Sequence, residues 1–126
     1  MGISDACLNI AITIDDVRED AIQPLHKRVY DYSASLARYK RGSPQEVTSK
    51  TSLLTNVRIA KDAVKQSIVD TGYAADGEVK HINSKLEQLS EAIDNSQTIV
   101  AFALIEELDH DLFNLMLNKA VTCECH

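Results

Sequence analysis

Between Ile22 and Tyr39 the apolar side chains fall at Ile22, Leu25, Val29, Tyr32, Leu36 and Tyr39, in alternating steps of three and four residues. That spacing brings every member to one stripe of an α-helix and to no single face of a strand. It is the narrow seam along which one helix packs on another. The alternation returns at Val79, Ile82, Leu86, Leu89 and Ile93. Two such seams call for a helical bundle, because each is hidden from water only by another helix. Only 4 Gly and 2 Pro occur among the 126 residues, too few turn formers for a many-stranded sheet. The expected fold is therefore all-α: an antiparallel bundle of four main helices in one domain, residues 1–126, with a short N-terminal fifth helix as an option.

The first helix is placed at about 16–41, with Asp16 and Glu19 as a capping box at its start. Pro24 has no N–H to donate, so it either kinks this helix or starts it afresh near Gln23. Gly42-Ser43-Pro44-Gln45-Glu46 then reads as a stop followed at once by a start. Gly42 suits the left-handed residue that ends a helix, Ser43 the N-cap, Pro44 the first helical position, and Glu46 the closing member of a capping box. So short a connection makes the second helix, at 44–70, antiparallel to the first. It should bury Leu53, Leu54, Val57, Ala60, Val64 and Ile68. Gly72 is a natural stop and Asp76 a natural cap for the third helix. Beyond Ile93 the seam's register meets Ser96, Val100, Ala103, Glu107, His110 and Asn114, which are mostly polar, so the seam does not run on. A turn at Asp94-Asn95-Ser96, three capping residues, is preferred to a continuous helix with shifted register. The fourth helix follows at 97–120. In the N-terminal segment, 1–15, Leu8, Ile10, Ile12 and Ile14 alternate as in a strand. No second strand pattern exists to pair with it, so a helix capped by Ser4 is favoured. Residues 121–126 read as a flexible tail.

The net charge of −6 repels a phosphate backbone. The basic runs His26-Lys27-Arg28 and Arg38-Tyr39-Lys40-Arg41 are short, and the second suits a helix C-terminus. No nucleic-acid partner is expected. The most apolar stretch, 98–117, carries Glu106, Glu107, Asp109 and Asp111, charges too costly for a membrane span. Gly2 invites an acylation reading, but Ala6 stands where that motif wants Ser or Thr. Cys7, Cys123 and Cys125 make an odd set without framework spacing, so no secreted disulfide scaffold is indicated and a reduced, cytoplasmic setting is expected.

Chemistry-bearing residues are few. The tail Cys123-Glu124-Cys125-His126 carries metal-ligand types but lacks the second pair that makes a zinc motif specific. Glu78-x-x-His81 and Glu107-x-x-His110 have the spacing of di-iron bundles, yet the inward glutamates that such sites draw from other helices are missing. His110 is read as a surface histidine paired with Glu106 one turn away. No nucleophile elbow, P-loop or dinucleotide fingerprint occurs. No cofactor and no small-molecule substrate are indicated, and a metal- or cofactor-binding bundle using Glu107 and His110, or the Cys123, Cys125 and His126 tail, is the alternative reading.

The fourth helix points elsewhere. Its apolar residues cover well over half its circumference, with Phe102, Phe113 and Leu117 on one flank and Leu104, Leu108 and Leu115 on the other. A bundle helix needs an apolar stripe only about 100° wide or a little more. One flank can pack on the first hairpin. The other needs a second copy, or the N-terminal segment folded over it. The expected function is a non-enzymatic helix-mediated interaction, scaffolding or regulatory protein that self-associates, with those six residues as its candidate interaction face.

Overall fold

The computed structural model describes residues 5–122. They form helices α1 (Asp5–Val17), α2 (Gln23–Arg38), α3 (Pro44–Ala63), α4 (Lys80–Asp94) and α5 (Thr98–Thr122), with no strand among the described residues. A π turn at Arg18–Ile22 joins α1 to α2 without leaving helical backbone, and a second, Val64–Val69, extends α3. The chain thus makes four long rods folded into an all-α bundle. α2 packs on α3, α3 on α4 and α4 on α5, while α1 and α2 together line α5 from the other side.

The N-terminal segment is helical, and the helix expected to begin at residue 16 begins at Asp5. Cys7, Ala11, Ile14 and Val17, spaced by four, three and three, are buried along it, while Leu8 and Ile12 point outward. The strand-like alternation came from apolar residues that lie on different sides of one helix. Asp16 and Glu19 sit inside the continuous rod, so they form no capping box there. Pro24 does not break the helical backbone, and regular α-helix resumes at Gln23, the alternative start, with the proline in its first turn. The turn before it is widened, with the Gln23 N–H donating to the Arg18 carbonyl five residues back. Pro24 has no N–H for the regular bond to the Asp20 carbonyl, and the widened turn falls where that bond is missing.

The first turn is built as expected on one side only. Gly42 is left-handed at φ +87°, and Ser43 Oγ accepts from the Glu46 N–H at 3.3 Å. Glu46 does not reach back to close the box. Its side chain is buried, with Oε1 3.6 Å from Lys50 Nζ and Oε2 without a hydrogen-bond partner. Lys50 also donates to the Asp94 carbonyl at the end of α4, where a cation complements the helix dipole. The seam of α2 is buried at Leu25, Val29 and Tyr32 but not beyond: Leu36 is half-buried and Tyr39 exposed. The helix closes at Arg38, so its last turn overhangs the core.

The turn between α4 and α5 lies where three capping residues put it. Gln97 N–H donates to the Ala92 carbonyl at 2.7 Å and Ser96 N–H to the Ile93 carbonyl at 3.0 Å. This is the Schellman closure of a helix C-terminus, and its left-handed position is filled by Ser96 at φ +58°. A non-glycine residue is strained there. Ser96 offsets this with its hydroxyl, which shares a 2.9 Å hydrogen bond with the Tyr32 hydroxyl on α2. Of the tail expected over 121–126, residues 121 and 122 belong to α5, which runs through Thr122, and the rest lies outside the described residues.

Two outcomes follow for stability. Leu86→Ala, at a fully buried position, should destabilise by about 2–5 kcal/mol in urea unfolding, and Leu36→Ala clearly less. Ser96→Ala loses the Tyr32 bond and keeps the strain, costing about 1 kcal/mol. Ser96→Gly loses the bond but relieves the strain, so it should stay within about 0.5 kcal/mol of the parent. Equal losses in the two Ser96 variants would show that the backbone there is unstrained.

Candidate functional site

The six residues expected to form an interaction face separate in the structure. Leu104, Leu108 and Leu115 turn into the core of the same chain. Phe102 is half-buried at the α2–α5 contact, its ring 5.0 Å from the His26 ring. Phe113 and Leu117 stay at the surface, 38% and 44% exposed. The flank that seemed to need a second copy is partly covered by α1, because that segment folds along α5 within one chain.

Four contacts fix how the two rods lie. Tyr32 meets Ser96, His26 meets Phe102, and Gln23 Nε2 and Arg18 Nη1 both donate to Asp109 Oδ1, at 3.3 and 3.1 Å. Numbers fall along one rod as they rise along the other, so α1–α2 and α5 are antiparallel. Arg18 is the side chain that joins them. Its Nε donates to Asp15 Oδ1 at 2.8 Å, and its guanidinium carbon stands 5.4 Å from the Phe113 ring centroid, a cation–π distance. The carboxylate of Asp15 first, and then that of Asp109, raise the Arg18 pKa against the opposing effect of burial. The guanidinium is therefore a fixed charge at the seam.

Beyond this clamp the outer edges of both helices are apolar. On α1, Leu8 and Ile12 stand one turn apart at 44% and 47% exposure. On α5, Phe113, Leu117 and Val121 follow one another at the same spacing, all exposed. The antiparallel register sets Leu8 and Ile12 alongside the C-terminal half of α5, where these residues lie. Leu8, Ile12 and Arg18 were not legible as site residues. The only signal for them was the i, i+4 spacing of the two aliphatic residues, which the alternating pattern masked.

The metal-like motifs do not assemble. Glu78, His81, Glu107 and His110 are all exposed. Among the described residues no three His, Cys, Asp or Glu side chains converge on a point that could hold an ion. His110 makes no ion pair with Glu106 among the described contacts. Glu78 and His81 instead border an open groove between α4 and α5 with Lys85, Asp111 and Asn114. Lys85 pairs with Asp111 at 2.6 Å and Lys119 with Glu78 at 2.6 Å, which neutralises its charges. The tail Cys123, Cys125 and His126 lies outside the described residues. Cys7 departs from expectation, for it is disulfide-bonded. Also among the described residues, no helix is long and apolar enough to cross a membrane.

With this arrangement the chain is an all-α antiparallel bundle carrying an apolar edge. Comparison with family models, with characterised proteins and with solved structures returned no match.

Glu78 gives the bundle a pH dependence. The Ala75 N–H, donating to Glu78 Oε1 at 3.0 Å, lowers its pKa first, and Lys119 adds to the effect. A carboxyl with a depressed folded pKa stabilises above its unfolded value and loses that contribution as pH falls through the folded one. Glu78→Gln should therefore lower Tm at pH 7. The gap to the parent should close as the pH drops below about 4, the ordinary glutamate range. A gap independent of pH would show that neither the Ala75 N–H nor Lys119 favours the charged carboxylate in the folded protein.

Proposed function

We propose that the chain is a non-enzymatic, helix-mediated interaction protein that self-associates through the apolar outer edges of α1 and α5. The observation that carries this reading is the exposure of Leu8, Ile12, Phe113 and Leu117 on neighbouring antiparallel helices. Soluble monomers seldom leave contiguous apolar patches of size uncovered. A two-fold pairing brings the same residues from both copies together, so one apolar patch suffices for both sides. Arg18, with Asp15 and Asp109, supplies a charged rim at one end of the patch, in the usual arrangement of an apolar centre bordered by polar groups.

The proposed setting is cytoplasmic. Thiol pools keep most cysteines reduced there, and the disulfides that do form are transient and regulatory. The disulfide on Cys7 fits that setting only as a bond that cycles.

Light scattering at several concentrations tests the reading. The parent should weigh as a dimer or higher oligomer. Phe113→Asp combined with Leu117→Asp should reduce it to a monomer with unchanged helical circular dichroism, whereas Leu108→Asp, in the core, should unfold it. A parent that stays monomeric at high concentration ends the proposal.

A further inference from the structure

The cations of this chain are unevenly paired. Arg18, Lys50, Lys61, Lys85 and Lys119 each have a carboxylate within ion-pair distance. Lys27, Arg28, Arg38, Lys40 and Arg41, on α2 and in the turn after it, are exposed and have no such partner among the described residues. Asp31 is the single acid between Gln23 and Gln45, and it borders the groove between α2 and α3. The net charge of −6 thus hides a segregated basic flank. Asp20 closes the acidic run on the same rod. It lies about 27 Å from Arg38 at 1.5 Å per residue, several times the screening length of about 8 Å at physiological salt. The turn between α4 and α5 also stands back from the α2–α3 tip. Ser96 is level with Tyr32, and the Asp94 carbonyl with Lys50, so α2 and α3 project beyond that turn by about 9 Å. Glu91 and Asp94 are set back by this step, and Glu46 is buried.

The same flank is apolar between its cations. Tyr30, Ala34 and Ala37, in steps of four and three, form a second stripe on α2, all exposed. His26, one turn before Tyr30, meets Phe102. On the antiparallel helix Ile99 is one turn before Phe102, so it stands beside Tyr30. Ile99 is 84% exposed and Tyr30 64%.

We propose that this flank docks on the surface of an anionic phospholipid bilayer. Lys27, Arg38, Lys40 and Arg41 set their charges over lipid phosphates, with their stems along the apolar stripe. Ile99 and Tyr30 enter the headgroup layer, where an aliphatic side chain and a tyrosine ring are both favoured. Charge alone would admit any polyanion, and the apolar groups select the lipid. Ile99, Val100, Ala34 and Ala37 offer no face for base stacking. The groove beside them, where a phosphate chain would lie, meets Asp31 along both its parts. The docking does not require self-association, because Leu8, Ile12, Phe113 and Leu117 belong to the other half of the rods.

Co-sedimentation with vesicles tests this. The parent should pellet with vesicles of mixed phosphatidylcholine and phosphatidylserine and stay in solution with phosphatidylcholine alone. High salt should release it. Arg38→Glu with Arg41→Glu should weaken binding about tenfold or more, since each cation near such a surface multiplies binding several-fold. Lys65→Glu with Lys80→Glu makes the same change of net charge on other elements and should bind as the parent does. Ile99→Ser with Tyr30→Ser should weaken binding several-fold and leave its salt dependence unchanged. These positions are all exposed, so helical circular dichroism should match the parent. Lys27→Glu with Lys40→Glu repeats the charge test should the Arg38 and Arg41 pair lose helix. Phe113→Asp with Leu117→Asp should still pellet, whatever its mass. Binding to both vesicle types alike, or to neither, overturns the proposal. So does an equal loss in the tip pair and the Lys65 and Lys80 pair. A parent that binds a single-stranded DNA oligonucleotide, and whose vesicle binding ignores the loss of Ile99 and Tyr30, overturns it as well. A tip variant lighter than the parent without lipid does the same, for the flank would then be a contact between copies.

Discussion

Helix α5 is apolar round most of its circumference, and such a helix is stable in water only when neighbours cover more than one side. The remaining rods are placed by that requirement. α4 folds back on one side through the tight turn at Ser96, while α1 and α2 cover the other. Ala101, Leu104, Ile105, Leu108, Leu112 and Leu115 are buried between them. A first helix starting at residue 16 would reach only about as far as Asp109 and leave the second half of α5 uncovered on the side away from α4. The helical N-terminal segment is thus a consequence of the length of α5, which exceeds that of α2 by more than two turns.

Covering α5 over its full length forces one rod to pass through Pro24. The π turn before it accommodates the missing donor without a break, and the rod stays continuous from Asp5 to Arg38. Arg18 begins this turn, and it is also where α1 is tied to α5. Its guanidinium meets Asp15 from its own helix and Asp109 and Phe113 from the other. π turns often accompany functional positions because they re-aim the side chains that follow. Here the widened turn coincides with the charged end of the exposed apolar edge.

Much of the fold was legible because helices and tight turns are written in local spacing. The seam positions Leu25, Val29, Ile82, Leu86, Leu89 and Ile93 are buried as their three-four steps imply. Ser43 caps and Gly42 turns as their chemistry dictates. The candidate face was only partly legible. Leu104, Leu108 and Leu115 have the same residue type and helical spacing as an outward flank would have. Nothing local to α5 says which side a neighbour occupies, and the neighbour is a segment nearly a hundred residues away in the chain. Glu46 shows the same limit in a polar group, for its capping pattern is local whereas its buried side chain answers to packing against neighbouring rods.

By itself the sequence determined the all-α class, the two tight turns and the inward faces of the seams, since each depends on residues within a turn or two of one another. Only the tertiary structure decided that residues 5–17 extend the first rod, that this rod lies antiparallel to α5, and that Phe113, Leu117, Leu8 and Ile12 remain outside. Amphipathic periodicity names the apolar residues of a helix but not what stands across from them. When a helix is apolar on several sides, its exposed remainder is fixed only by which neighbours fit, and that is a property of the folded whole.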